Sequence, residues 1–493
     1  MYQGNRRYNY GYKTQGGGLM DYINGYDEKD PLSIERYAQQ LIGKTFEDVC
    51  EADDRGGNSI IRESFAYNVS HEDKKFKGGL GNLIEERFFH YQANDDSRPD
   101  FPEAGVELKV TPYKIVSSDK KVAKERLIIT MINYHDVVLE DFYNSHLWLK
   151  SKKILLIYYL WTKEIVNRLK YRIDYARLFT PPENDLRIIR HDFKVIVDKI
   201  KAGKAHELSE SDTMYLGAAT KSSKGSVTRT QPFSDIPAKP RAFAFKNSYM
   251  TYVLNNYIIP GRPEFESILG KDSTDSFEDY VKNKIQKYSG RYVDDLCHEF
   301  GIDISRKPKN LGAMIAFRIL GVNSNGAEEF EKAGIKVKTI RIGSNGKIKE
   351  SMSFPIFRFK ELVQEEWDSS SFREYLSETR FFFIVYQFDS RENLYLKGCQ
   401  FWNIPYSDLE GNVKKVWLET KEVLKSGLKV SRVGKRNVNN FPKASDNDVS
   451  HVLPHAQNMN DTDQLPDGRQ YPKQCFWLNN SYILSQLEER LKS

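Results

Sequence analysis

Four segments of this 493-residue chain recur, in the same order, in its second half. Gly81-Asn-Leu-Ile-Glu85-Glu-Arg87 returns as Gly312-Ala-Met-Ile-Ala316-Phe-Arg318. Asp100-Phe-Pro-Glu-Ala-Gly-Val-Glu107-Leu-Lys109 returns as Glu329-Phe-Glu-Lys-Ala-Gly-Ile-Lys336-Val-Lys338. Ile154-Leu-Leu-Ile-Tyr-Tyr159 returns as Phe381-Phe-Phe-Ile-Val-Tyr386. Ala242-Phe-Ala-Phe-Lys-Asn-Ser-Tyr249 returns as Cys475-Phe-Trp-Leu-Asn-Asn-Ser-Tyr482. Four matches in one order argue for a fold made twice. Two copies are too few for a repeat array, so the expectation is a pseudo-dimer of tandem domains. The length agrees with two or three domains.

Residues 1–30 are rich in Gly, Tyr, Asn and Arg without a periodic apolar face, and read as a tail. A first domain is expected over 31–258, opening with a helix capped by Ser33 and running through Leu41. The Ile259-Pro-Gly-Arg-Pro stretch marks a linker, 259–271, and a second domain follows over 272–493. Both should be α/β, each a mixed sheet flanked by helices. The near-continuous apolar runs at 126–134 and 153–161 read as central strands.

Composition narrows the function classes. Cys50, Cys297, Cys399 and Cys475 lie far apart with no CxxC pair, which argues against a disulfide framework or a zinc site. The N-terminus lacks the apolar core of a signal peptide, and the run from Ile154 to Trp161 is too short to span a bilayer. A cytoplasmic protein is expected. A net charge of +6 is compatible with a nucleic-acid partner without demanding one. Gly43-Lys-Thr45 is not a phosphate loop, because Ala38 stands where that pattern needs glycine; a glycine ending a helix is the plainer reading.

The chemistry concentrates around Asp100–Lys109. Val106, Leu108 and Val110 alternate with Glu107 and Lys109, the period of a strand with one buried face. Glu107 and Lys109 then share a face, and a Pro/Gly turn can fold Asp100 beside them. Two carboxylates and a lysine at a strand end can hold Mg²⁺ and orient a water against a phosphodiester. The second copy acts as an internal control. There Glu85 becomes Ala316 and Glu107 becomes Lys336, and a lysine in a ligand position repels a cation. Folding therefore does not require Glu85 and Glu107, and the second copy should be catalytically dead.

Pro99-Asp100…Glu107-x-Lys109 resembles the core of the restriction-endonuclease (PD-ExK) superfamily. The run Gly81–Glu85, Asp100–Lys109 and Ser145-His-Leu-Trp-Leu-Lys150 resembles its MutH-like branch, and the match in both halves resembles the two-domain, GATC-cutting Type II restriction endonucleases. The resemblance implies tandem MutH-like domains and Mg²⁺-dependent cleavage of double-stranded DNA 5′ of the G in GATC, leaving 5′-phosphate ends. It implies Asp100, Glu107 and the Leu108 carbonyl as metal ligands, Glu85 as a further acid, and Lys109 and Lys150 as catalytic lysines. It also implies a methyltransferase protecting host DNA, and a degenerate second domain that binds DNA as an effector or helps assemble a dimer. With one site per chain, the enzyme must either cut the strands in turn or pair chains on DNA. Where MutH has a tyrosine near the target adenine, this chain has Ala244, so methylation sensing by that route does not carry over.

DNA contacts are expected from Lys221, Lys224, Arg229, Arg241 and Lys246 in the first copy. In the second they are expected from Lys429, Arg432, Lys435 and Arg436, within a basic region that includes Lys414, Lys415 and Lys421. His451 and His455 read as structural or DNA-facing, since no thiolate or carboxylate pair accompanies them. Two other functions fit less well: a strand-nicking repair nuclease, against which the duplication argues, and a non-catalytic DNA-binding protein, against which the intact carboxylates argue.

Overall fold

The computed structural model describes residues 25–54, 79–91, 98–116, 120–221, 227–259, 265–269, 276–303, 305, 308–323, 326–433, 436–458 and 460–492. The chain divides into two compact units. The first comprises residues 1–203, 215–219 and 241–264; the second comprises 204–214, 220–240 and 265–493.

The first unit opens with helix α1 (Pro31–Ala38). Asp30, not Ser33, caps it: the Asp30 carboxylate accepts from the Leu32 and Ser33 amides at 3.0 and 3.2 Å. Pro31 sits in the first turn, where no amide is missed. The Ser33 hydroxyl instead accepts from the Asp27 amide. Gly43, at φ +87°, lies just past the helical stretch ending at Leu41. Helix α2 (Phe46–Asp54) and the short helix α3 (Gly79–Leu83) follow.

A mixed sheet runs in the order β2 (Lys120–Ala123), β1 (Glu107–Val116), β4 (Ile154–Leu160), β5 (Ile173–Phe179). β1 and β4 are parallel, with Glu107 opposite Ile154. A second sheet orders β3 (Leu127–Met131), β9 (Arg241–Phe245) and β6 (Leu216–Thr220). Helix α4 (His146–Ser151) enters β4, and α5 (Glu183–Lys201) precedes β6. The buried Asp192 of α5 accepts from the Tyr215 and Leu216 amides, tying that helix to β6. Helix α6 (Asn247–Val253) closes the unit's regular structure.

The second unit repeats this plan. Its sheet β10 (Lys336–Ile342), β12 (Phe381–Phe388), β13 (Leu394–Trp402) pairs β10 parallel to β12, with Lys336 opposite Phe381. That is the register of Glu107 on Ile154, at the positions the sequence matches. A second sheet, β11 (Met352–Ile356), β19 (Gln474–Leu478), β16 (Ser450–Pro454), repeats β3-β9-β6. Leu127 faces Phe245 in one copy and Met352 faces Leu478 in the other, with a register shift after the following residue in both. Along the chain between β13 and β19 come helix α7 (Lys414–Ser426) and the hairpins β14 (Val430–Val433)–β15 (Arg436–Asn439) and β17 (Thr462–Gln464)–β18 (Gln470–Pro472).

Two further details differ from the sequence reading. Glu107 and Leu108 are 1% and 3% exposed, so the start of β1 is covered on both faces rather than one. Residues 220–240, with hairpin β7 (Arg229–Gln231)–β8 (Ser234–Ala238), group with the second unit. Lys239 pairs with Asp368 there, at 2.9 Å, and Gln231 accepts from the Ala205 amide. Among the described residues no helix is long and apolar enough to cross a membrane.

Candidate nuclease centre

The centre is built where β1 begins. Phe101 and Val106 exchange backbone hydrogen bonds of 2.9 and 3.1 Å around the turn Pro102–Gly105. Gly105 takes φ +64°, which favours glycine. The turn folds Asp100 back on the strand, and its Oδ2 accepts from the Leu108 amide at 2.7 Å. Apolar burial of Phe101, Val106 and Leu108 fixes this corner.

Glu107 points into the protein. Its Oε1 accepts from Lys109 Nζ at 2.6 Å and from Lys150 Nζ at 3.4 Å. Its Oε2 is buried with no hydrogen-bond partner among the described residues. Lys150 reaches it from the last turn of α4, whose start is fixed by Ser145 accepting from the Trp148 amide. Burial holds the Glu107 carboxyl above the usual carboxylate range, with Lys109 opposing and Asp100 reinforcing the rise.

Glu85 lies one helical turn past Gly81, where α3 widens into a π turn over Ile84–Phe88. Such single-turn widenings recur at functional sites. Burial first, then Asp100 and Glu107, push Glu85 up to about 7, with Lys109 opposing. Three carboxylates thus act on one another at one strand end. The π turn also delivers Tyr91, which sequence reading passed over. Its buried hydroxyl has no hydrogen-bond partner among the described residues, and its ring packs edge-on against Phe101. Burial, then Asp100 and Glu85, raise its pKa above the usual phenol value. Only the tight turn after the helix brings it to the acids, and no spacing rule reads that out.

The donor set suits a hard cation. Among the described residues no three His, Cys, Asp or Glu side chains form a ready-made cage. Mg²⁺ asks for less: one or two carboxylates, with water and phosphate oxygens completing its octahedron. The unpartnered Glu107 Oε2 beside Asp100 is such a donor, and it is costly to bury without a ligand.

Glu85 makes a test of this electrostatic environment. The folded chain holds its proton more tightly than the unfolded chain, whose value lies near 4.5. The contribution of Glu85 to stability is therefore full below 4.5 and is lost as pH rises through about 7. Between about pH 5 and about pH 8, the metal-free protein should lose less Tm as Glu85→Gln than as wild type. Equal slopes in thermal melts would show that Glu85 is not held in this field.

The DNA-contact candidates divide. Lys221, Arg229, Lys429 and Arg432 are exposed. Arg241 and Lys246 are buried, at 7% and 4% exposure. Arg241 donates to the Ala218 carbonyl at 2.6 Å, bracing β9 against β6, and Lys246 precedes α6. Neither is a surface cation, because both sit where the second sheet packs. Lys224 and Lys435 lie outside the described residues, as does the side chain of Arg436. The basic region around α7 is more compensated than its sequence implies. Lys421 turns inward to the Glu365 carbonyl and Glu366, while Lys414 pairs with Glu410 and Lys415 with Glu419. His451 is buried against Asn479 and stacks on Trp477, a structural placement.

The sequence pattern of the family described as DNA mismatch repair enzyme MutH matches residues 89–192 and 320–410, one segment in each copy. DNA mismatch repair protein MutH of Vibrio campbellii is 24% identical over 210 residues, covering 41% of this chain and 89% of that protein. MutH of Yersinia enterocolitica is 23% identical over 199 residues, covering 39% and 83%. The Type II restriction enzyme Sau3AI of Staphylococcus aureus is 36% identical over 483 residues, covering 89% of this chain and 98% of that enzyme. Likeness of that extent, through both copies and not the first alone, means that the chain belongs to the family of the Type II restriction enzyme Sau3AI.

Proposed function

We propose that the chain is a Type II restriction endonuclease that hydrolyses double-stranded DNA at GATC, 5′ of the G, and leaves 5′-phosphate ends. The observation that carries this reading is the cluster of Glu85, Asp100, Lys109 and Lys150 around the buried Glu107 carboxylate, one oxygen of which has no hydrogen-bond partner among the described residues. It occurs in a chain that spans 98% of a Type II restriction enzyme.

Asp100, Glu107 and the Leu108 carbonyl would hold Mg²⁺, which supplies positive charge against the phosphate oxygens when bound. Lys109 orients the attacking water and stabilises charge on the pentacoordinate phosphorus. Lys150 shares the Glu107 oxygen with Lys109 and keeps that carboxylate aimed when Lys109 moves to substrate. Glu85 holds a proton near neutrality and can exchange it with solvent at the site. The exposed Lys221, Arg229, Lys429 and Arg432 would contact the duplex. In its host such an enzyme would work beside a methyltransferase that protects GATC, and two chains could pair on DNA.

Plasmids carrying zero, one or two GATC sites, with and without adenine methylation, test the reading. With Mg²⁺, only GATC-containing plasmids should be cut, with sequenced ends beginning at G. Cleavage of the GATC-free plasmid, or no cleavage at all, would sink it. A stable nicked circle without linear product would favour the strand-nicking alternative.

A further inference from the structure

The second copy keeps the strand that carries the catalytic residues and reverses its charge. Lys336 and Lys338 stand at the β10 positions of Glu107 and Lys109, in the same register against the neighbouring parallel strand. Two residues apart on a strand, they project from one face. Lys336 is exposed and Lys338 half-buried.

Their surroundings leave that charge unbalanced. Glu329, the counterpart of Asp100, does not turn to the strand as Asp100 does. It lies in the helix Glu328–Ala333 and is 4% exposed. Its carboxylate accepts from the Ser267 hydroxyl at 2.6 Å and from the Ile268 and Leu269 amides at about 3 Å. Cys475 lies close enough to Lys338 to interact with it, but burial pushes the thiol up to about 11, so it is neutral and no counterion. Among the described residues, neither lysine ammonium has a hydrogen bond or an ion pair. Burial, and then Lys336, depress the Lys338 pKa, the mark of a cation held without an anion.

We propose that Lys336 and Lys338 bind a backbone phosphate of duplex DNA in the absence of metal. The inference rests on the reading that Glu107 and Lys109 of the first copy face a phosphodiester. The equivalent place in the second copy then meets the same group, with two fixed ammonium charges in place of a carboxylate-held cation. The second copy becomes a phosphate clamp that cannot cut.

Lysine footprinting on the full-length protein in EDTA tests this. A GATC duplex should protect Lys336 and Lys338 from an amine-reactive ester, read by mass spectrometry. The Lys336→Gln/Lys338→Gln protein should bind the duplex about tenfold more weakly, with the salt slope of log affinity reduced by about 1 to 2. Lys336→Arg/Lys338→Arg should restore both, which separates lost charge from lost fold. Protection by orthophosphate but not by duplex would make this a small-anion site and overturn the proposal, as would no protection by either. Wild-type cleavage of a GATC plasmid is scored separately. Cleavage without protection refutes the clamp alone, whereas protection without cleavage refutes the nuclease reading alone.

Discussion

Glu107→Gln is expected to lower the Mg²⁺-dependent cleavage rate by on the order of 10³-fold or more, without unfolding the protein. The substitution keeps shape and keeps an oxygen that can accept from Lys109 and Lys150. It removes the negative charge of the Glu107 carboxylate buried at the start of β1. That charge is poorly supported without metal, since one oxygen has no partner and burial raises the carboxyl's pKa. The metal-free variant should therefore melt at a higher temperature than wild type near pH 8. Above its ordinary pKa an unfolded Glu107 is charged at no cost, while the folded one is not. Mg²⁺ should also raise the Tm of wild type more than that of the variant. Opposite signs for stability and activity would mark Glu107 as kept for chemistry. A variant that cuts GATC plasmid within a few fold of wild type would remove Glu107 from the site.

Why was so much of this centre readable beforehand? The duplication supplied a comparison within one chain. Residues common to both copies, such as the glycines at 105 and 334 with the same φ of +64°, report what the fold needs. Positions that changed, Glu85 and Glu107, report what the fold can do without. Period-two alternation then placed Glu107 and Lys109 on one face, because strand geometry is local. What stayed hidden depends on contacts distant in sequence. Burial of both faces at Glu107 and Leu108 follows from neighbouring elements, and nothing in the local alternation encodes it. The cap of α1 went to Asp30 because Pro31 starts the helix one residue later, leaving Ser33 inside the first turn. Arg241 and Lys246 looked like DNA contacts because charge is visible in sequence and burial is not. The basic tract at 414–436 misled in the same way, since Glu365, Glu366 and Glu410, which accept from or pair with its lysines, precede it in the chain.

Lys109→Met should cost about as much activity, on the order of 10³-fold, while leaving duplex binding within a few fold of wild type. Lys109 is the closer of two cations on Glu107 Oε1, at 2.6 Å against 3.4 Å for Lys150. Its side chain keeps 23% exposure, so it has room to leave Glu107 and face substrate. Removing a partner from a buried pair can cost about 3–5 kcal/mol when the remaining charge is stranded. Here the loss should be smaller, because Lys150 still faces the same oxygen and the raised Glu107 carboxyl can take up a proton. The variant should therefore fold, bind DNA and fail in the chemical step, which single-turnover cleavage at saturating Mg²⁺ would show. Lys150→Met should be milder, because its longer contact aims Glu107 and does not itself meet the phosphate. If Lys150→Met proved the more damaging change, the roles of the two lysines would be exchanged. If neither lowered the single-turnover rate, the lysine-assisted step would be wrong, and the acids Glu85, Asp100 and Glu107 would have to act without them.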